Sequence, residues 1–366
     1  MHAQAAVLTR FGEPLQVQEI PLPPLAEGEV LVAIEAAGVC GSDVHMWRGK
    51  DPRTPLPMVL GHEGVGRIVE LASPRTDVNG TPLTPGMRVL WERSVTCGTC
   101  HYCAVAHEPG LCPHRWVYGI HRGLRDSRGP GGCYSTHLIL DRRTPMWRLP
   151  EHDDPAAYVA VGCSGATSAH AIEAANVRPG QTVVVLGPGP LGAYAAALAR
   201  RAGAEHVVVS GGTPERLQFC AEVGATRTLN RHELDPDARR DRVLGLSQGR
   251  GADVVIEASG SIAAAREALE LVAPGGVVAL VGFGTPVGSM ELSPFEALVR
   301  KNVRLQGVWV SDARHTATAL SLVRSDPDLF GSLVTHRLPL DQATRALELV
   351  ESRVAAKAVI LPQDSI

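Results

Sequence analysis

Eight cysteines stand in this chain, and four of them, Cys97, Cys100, Cys103 and Cys112, fall on one short stretch. Thiolates at such spacing can close a tetrahedron around Zn2+ with no open position, which makes a structural site that stabilises its lobe and does no chemistry. Four unpaired cysteines gathered by chance are the plain alternative. A second set is dispersed. Cys40 stands in Cys40-Gly41-Ser42-Asp43-Val44-His45, His62 and Glu63 follow Gly61, and Cys163 stands in Gly162-Cys163-Ser164-Gly165-Ala166-Thr167. Singly, each reads as a small core residue or a satisfied core histidine. Together, two thiolates, one imidazole and a water would form an open zinc site, where the ion acts as a Lewis acid toward an alcohol or a carbonyl.

A third motif accompanies them. Val183-Val184-Val185-Leu186 runs into Gly187-Pro188-Gly189-Pro190-Leu191-Gly192, a G-x-G-x-x-G between a strand and a helix. The first glycine permits the tight turn, the second lets backbone approach a pyrophosphate, and the third lets the helix pack closely. The helix N-terminus adds partial positive charge. On this reading Gly187, Gly189, Pro190, Leu191 and Gly192 hold a dinucleotide. A carboxylate for a ribose 2′-hydroxyl is expected about 20 residues on. The chain reads Val209-Ser210-Gly211-Gly212-Thr213 there, so no acid at Gly211 repels a 2′-phosphate. Arg216, one helical turn on, is a candidate cation for that phosphate or a plain surface charge. NAD and NADP both stay open.

These motifs need elements to hold them. From about Val161 onward apolar runs alternate with helical spacing: strands at Thr182–Leu186, His206–Val209, Val254–Ala258 and Val277–Val281, helices at Leu191–Ala202, Pro214–Val223 and Ala263–Val272. That alternation argues for an α/β fold with a doubly wound parallel sheet. The first 150 residues are β-rich and irregular, with strand-like Val30–Ile34 and Gly66–Glu70 between Gly and Pro punctuation. A helix from Gln342 to Val350 and a strand Ala358–Leu361 close the chain, and the β-rich part is expected to recruit them. The expected domains are therefore 1–160 with 312–366, and 161–311 inserted between them.

Composition narrows the function. The chain has 366 residues, 45% hydrophobic and 20% charged, enough for two cores. A formal net charge of -3 makes nucleic acid a poor partner. The uncharged stretch Thr182 to Ala199 has a membrane-like length, but Gly187, Pro188, Gly189 and Pro190 in its middle would break a spanning helix. No signal-like pattern stands at the start, so the expectation is a cytoplasmic protein with no membrane partner.

Cys40-Gly41-Ser42-Asp43-x-His45, Gly61-His62-Glu63-x-x-Gly66, the four-cysteine loop, Cys163-x3-Thr167 and the glycine turn together make the chain resemble the zinc-containing medium-chain dehydrogenase/reductase family. Its members include alcohol, polyol and threonine dehydrogenases, and the resemblance runs over essentially the whole length. It implies a GroES-like β-rich catalytic domain and a Rossmann domain. It also implies two Zn2+ per chain (one catalytic, one structural), NAD or NADP as cofactor, a small-molecule alcohol or carbonyl substrate, and a homodimer or homotetramer. Carried over, Cys40, His62 and Cys163 match the catalytic zinc ligands, and Glu63 the acidic neighbour that can lie near the zinc. Asp43 matches the carboxylate that orients the ligand imidazole, Ser42 the hydroxyl that takes the substrate proton, and His45 the end of the relay to solvent. Two departures stand out. Eight residues precede Cys112 where the family has seven, with Pro109-Gly110 available to absorb the extra one, and Ser73 to Pro85 reads as a loop insertion.

The pocket is less determined. Trp47 resembles a pocket-lining tryptophan of small-alcohol members, with packing as the alternative. Arg93 stands where the family often places an apolar pocket residue. It would meet a carboxylate or phosphate bidentately, or pair with Glu92 at the surface. Arg122 and Arg125, in the segment Arg115 to Arg128, would extend an anion-attracting border or lie in a solvated loop. The substrate expected is thus a polyol or an anion-bearing secondary alcohol. Cys133 and Cys220 match no ligand position and read as core fillers. The competing functions are a zinc-independent quinone or enone reductase of the same superfamily, which lacks the Cys40, His62 and Cys163 set, and a non-catalytic zinc-binding module.

Overall fold

The computed structural model describes residues 1–365. The chain divides into two compact units: Met1–Cys163 with Asp312–Thr316 and Val323 onward, and Ser164–Ser311 with Ala317–Leu322.

The first unit is built on β-structure. Its central strand, Val30–Val39, is buried along most of its length because Val, Leu, Ile and Ala fill it. It pairs antiparallel with Glu63–Leu71, His137–Leu140 and Lys357–Leu361. A three-stranded sheet of His2–Leu8, Gln16–Pro21 and Met58–Val59 lies in the same unit. Tail residues Leu338, Leu347 and Ile360 join its core with Val32, Ile34 and Val89. The register at one glycine brings distant residues together. Gly38 is opposite Glu63 on one side and Val359 on the other, so residues 63 and 357 flank the end of the central strand.

The second unit is a six-stranded, all-parallel sheet in the order Arg227–Asn230, His206–Gly211, Thr182–Leu186, Ala252–Glu257, Val272–Leu280, Arg304–Gly307. Its inner strands are continuous apolar runs such as Thr-Val-Val-Val-Leu, as burial on both faces demands. The helices Pro190–Arg201, Pro214–Glu222, Pro236–Leu246 and Ile262–Leu271 connect successive strands. The strand order reverses between Thr182–Leu186 and Ala252–Glu257, the switch point where such sheets bind ligands. Among the elements that went unread in the sequence are the strands Arg227–Asn230 and Arg304–Gly307 and the helix Pro236–Leu246. Each is short or rich in charge, so apolar periodicity did not reveal it. No helix among the described residues is long and apolar enough to cross a membrane.

Candidate active site

Cys40 caps the seven-residue helix Gly41–Trp47 at the end of the central strand. Glu63 begins the neighbouring strand and His62 directly precedes it, and Cys163 sits in a π-helical turn, Val161–Gly165, a widened turn of the kind frequent at functional sites. One ligand atom from each of Cys40, His62, Glu63 and Cys163 lies within 4.8 Å of all the others. The Cys40 and Cys163 sulfurs are 3.9 Å apart, and Cys163 Sγ is 3.4 Å from His62 Nε2.

The histidine is oriented from behind. Asp43, fully buried, stands 3.1 Å from His62 Nδ1, which directs Nε2 toward the sulfurs. The other Asp43 oxygen accepts the Cys40 backbone N–H at 2.8 Å and the Tyr134 hydroxyl at 3.1 Å. Burial works against a charged imidazole here, yet the Asp43 carboxylate overrides it and holds His62 up to about 10. Cys163, by hydrogen bonding, holds the Cys40 thiol well below its ordinary value, while Cys163 is itself pushed up by that contact and by burial. Ser42 Oγ lies 3.4 Å from His62 Nε2. His45, three residues on, shares that helical face and is half-buried.

Glu63 makes a buried ion pair with Lys357, whose side chain is 2% exposed. Gly38 makes this possible: a Cβ there would fall 2.2 Å from Glu63 Oε2. Burial would strip the Lys357 proton, and the Glu63 carboxylate holds it on. Sequence reading missed Lys357. Its signal was one charge heading the apolar run Lys357-Ala358-Val359-Ile360-Leu361.

These residues fit a divalent metal. Glu63 Oε1 is buried without a hydrogen-bond partner while Oε2 is held by Lys357. As anions, two thiolates and the carboxylates of Asp43 and Glu63 bring four negative charges; Lys357 and Arg93 supply two positive ones, and Zn2+ would supply the other two. The donor types, S, S, N and O, are those zinc takes.

The four-cysteine loop is compact and half-exposed. Cys97, Cys100, Cys103 and Cys112 converge, with sulfur separations of 3.5 Å for Cys97–Cys112, 3.6 Å for Cys100–Cys103 and 4.0 Å for Cys97–Cys103. Backbone N–H groups of Thr99 and Cys100 pull Cys97 down to about 5, which makes a thiolate ready for a metal. Pro109–Leu111 forms a 3₁₀ turn just before Cys112.

In the second unit the glycine turn has a separate physical demand at each glycine. Gly187 has φ +116°, a conformation that penalises any side chain. At Gly189 nothing lies within 4 Å of where a Cβ would be, whereas at Gly192 a Cβ would meet the Gly187 carbonyl oxygen at 1.8 Å. Pro190 is the first residue of the helix and Leu191 follows it. Together these leave an open helix N-terminus suited to pyrophosphate. At the end of the neighbouring strand, a Cβ on Gly211 would fall 2.3 Å from the Pro188 ring, so close packing excludes a carboxylate there. A Cβ on Gly212 would meet His232 Nε2 at 2.5 Å and Arg231 Nε at 2.7 Å. Those two side chains also escaped sequence reading, because they follow the unread strand Arg227–Asn230. Arg216 is half-buried on the helix Pro214–Glu222, where its charge reaches Cys220.

Trp47 stands apart from the ligand cluster in hydrogen bonding: it is 3% exposed in the core and donates its indole N–H to the Glu13 carbonyl at 2.7 Å. The surface reading of Arg93 is corrected: it is buried, and its Nη1 donates to Cys163 Sγ at 3.0 Å. Glu92, equally buried, accepts instead from Thr316 Oγ1 at 2.7 Å and Ser94 N at 3.3 Å. Cys133 and Cys220 are buried packing residues.

A dinucleotide turn on a parallel sheet and a buried sulfur, nitrogen and oxygen cluster in one chain define a metal-dependent nicotinamide oxidoreductase. Residues 26–151 match the alcohol dehydrogenase GroES-like domain, and residues 190–325 the zinc-binding dehydrogenase model. The chain is 32% identical to the 5-exo-hydroxycamphor dehydrogenase of Pseudomonas putida, over 98% of both proteins. Among solved structures, an alcohol dehydrogenase of Thermotoga maritima is 44% identical with a TM-score of 0.94, covering 99% of this chain and 100% of that one. A zinc-binding dehydrogenase of Sinorhizobium meliloti, bound to NADP, is 27% identical with a TM-score of 0.86, covering 99% and 100%. The chain belongs to the zinc-containing medium-chain dehydrogenase/reductase family. It is a zinc- and NAD(P)-dependent oxidoreductase of the alcohol and polyol type.

Proposed function

We propose that Cys40, His62 and Cys163 hold the catalytic zinc, with Glu63 as a fourth, exchangeable donor, and that Cys97, Cys100, Cys103 and Cys112 hold a second, structural ion. The convergence of Cys40, His62 and Cys163, with Ser42 Oγ 3.4 Å from His62 Nε2, carries this reading. Zinc bound there supplies Lewis-acid polarisation of the substrate oxygen, and the nicotinamide supplies the hydride acceptor. Ser42 takes the hydroxyl proton, and His45, on the same helical face, passes it outward, since imidazole exchanges protons with water near neutrality. Asp43 keeps the His62 ring turned toward the ion. The test is nicotinamide absorbance with the zinc-loaded protein and a panel of alcohols. Ser42→Ala is expected to lower kcat while zinc content stays at the wild-type value; an unchanged kcat overturns the role of Ser42.

NADP is the favoured cofactor on this reading. Close packing keeps Gly211 free of a carboxylate, and Arg231, His232 and Arg216 lie on the segments next to Gly211 and Gly212. Charge-assisted hydrogen bonds to a 2′-phosphate should favour NADP over NAD by roughly 10- to 100-fold. Arg231→Ala should erase most of that preference in kcat/KM, and equal effects on both cofactors would refute it.

For self-association, the edge strand Arg304–Gly307 is exposed at all four residues, and Phe295 and Val299 are exposed just before it. We assign the dimer contact to this edge; Leu305→Lys should shift the mass in light scattering toward the monomer. All eight cysteines are unpaired, which fits a reducing compartment and is the ground for placing the chain in the cytoplasm.

A further inference from the structure

We infer that Arg93 is a positioning residue for the dispersed metal cluster: its guanidinium donates to the Cys163 sulfur and sets how strongly that thiolate gives electron density to the ion. The inference rests on the reading of Cys40, His62 and Cys163 as the catalytic zinc ligands, and it adds a residue that acts on the ion through one of them.

Arg93 stands in the bend between the strands Arg88–Trp91 and Ser94–Val95. Its carbonyl accepts the Tyr118 N–H at 3.2 Å, one step beyond the Ser94–Val117 pair of the short antiparallel ladder, so the bend is held from the partner strand. The segment that carries Cys163 passes beside the same bend: a Cβ on Gly162 would stand 3.7 Å from the Trp91 carbonyl oxygen. The Arg93 residue is 7% exposed, and its Nη1 lies 3.0 Å from Cys163 Sγ. The oxygens of the adjoining Glu92 are engaged by Thr316 and Ser94. An apolar side chain, of the kind the family often places at this position, could fill the space beside the sulfur but could not donate to it.

A buried guanidinium is costly unless an anion meets it, and a metal-ligating thiolate is an anion. A charge-assisted N–H···S bond lowers the energy of the sulfur lone pairs, so the sulfur donates less to an ion it ligates. An ion with less donation keeps more of its own charge and pulls harder on a substrate oxygen. The group behind His62 works the other way. Asp43 is an anion 3.1 Å from His62 Nδ1, and it makes the imidazole a stronger donor. Two outer groups of opposite charge thus act on two ligands, one strengthening nitrogen donation and the other weakening sulfur donation. A second consequence follows from where Nη1 points. Engaged with Cys163, it serves the cluster and not a substrate carboxylate, so loss of Arg93 is felt alike by charged and neutral alcohols.

The test loads the full chain with Co2+, whose sulfur-to-metal charge-transfer absorption reports electron density at the thiolates. Cobalt-loaded Cys163→Ala, which keeps the ion of the four-cysteine loop, supplies the spectrum to subtract. In the difference, Arg93→Met should move the charge-transfer band to longer wavelength, because a sulfur lone pair without the donor lies higher. Arg93→Lys keeps a cationic donor and should return the band part of the way. With zinc, Arg93→Met should lower kcat about 10- to 100-fold, as for other groups that support a metal ligand, and by the same factor for 3-hydroxybutyrate and for its methyl ester. Circular dichroism checks folding; if Arg93→Met does not fold, Arg93→Lys and Arg93→Gln carry the comparison, with the band of the uncharged Gln variant at the longer wavelength. An unmoved band in a folded variant that binds both ions overturns the inference. So does a loss confined to KM for 3-hydroxybutyrate, which would make Arg93 a clamp on the substrate carboxylate. A wild-type chain that binds an ion in the four-cysteine loop alone overturns the reading of the dispersed cluster, and the inference with it. If no alcohol turns over, only the alcohol reading fails, and the band, which needs no substrate, still decides the role of Arg93.

Discussion

The two thiol clusters of the first unit invite the same ion and are assembled in opposite ways. Cys97, Cys100, Cys103 and Cys112 lie on one half-exposed loop, and the local chain does the assembling: backbone N–H groups lower Cys97, and a 3₁₀ turn delivers Cys112. Cys40, His62, Glu63 and Cys163 come from three separate places in the chain, and all but the half-buried Cys40 are buried. Nothing local brings them together. The antiparallel register of Val30–Val39 with Glu63–Leu71, the π-helical turn at Cys163 and the Lys357 strand are all required. The loop can therefore tolerate exposure: four thiolates around one Zn2+ would leave two negative charges, which water and the backbone N–H groups of the loop can answer. The dispersed cluster buries Asp43, Lys357 and Arg93 around its donors and leaves Glu63 Oε1 unpartnered. The first arrangement suits a brace, and the second a site where a ligand can still be exchanged.

The sharpest break in that contrast is Cys163→Ala. Turnover should fall to the assay floor and elemental analysis should show one ion lost per chain, while the four-cysteine loop keeps its own. Residual turnover near the wild-type value would mean that the dispersed cluster is not the reacting centre. Next in size is Cys103→Ser. Structural zinc binding in small peptides is worth about 10–16 kcal/mol in apparent terms. The variant should therefore unfold at a markedly lower temperature in scanning calorimetry, with kcat per folded molecule far less affected; the reverse pattern would exchange the two roles.

Lys357→Met comes third. It strands the buried Glu63 carboxylate, and breaking such a pair costs about 3–5 kcal/mol of stability in denaturant titration. Adding Glu63→Gln should recover much of it; a double variant no more stable than Lys357→Met would show that the pair is not the source. Asp43→Asn has the smallest expected effect, about 10- to 100-fold in zinc affinity or turnover, as for other groups that orient a metal-bound imidazole. No change in either would mean that Tyr134 and the helix alone hold His62.

Much of this was legible in the chain. The four-cysteine loop could be read because its donors are sequence neighbours, and the glycine turn because each glycine answers a local demand: positive φ at Gly187, an open approach at Gly189, closeness to the Gly187 carbonyl at Gly192. The four inner parallel strands were legible as apolar runs, the two edge strands not. Residue types and spacing, acting over a few positions, set all of these through backbone sterics and burial.

Tertiary structure alone decided the rest. Lys357 is far from Glu63 in sequence, and only the pairing of two strands on either side of Gly38, which has no side chain to intervene, brings them into contact. Arg93 read as a substrate clamp or as a surface charge paired with Glu92 until the fold buried it against Cys163. A charged side chain's meaning depends on which opposite charges share its low-dielectric surroundings. That is a property of packing between distant segments, and no local pattern of residues encodes it.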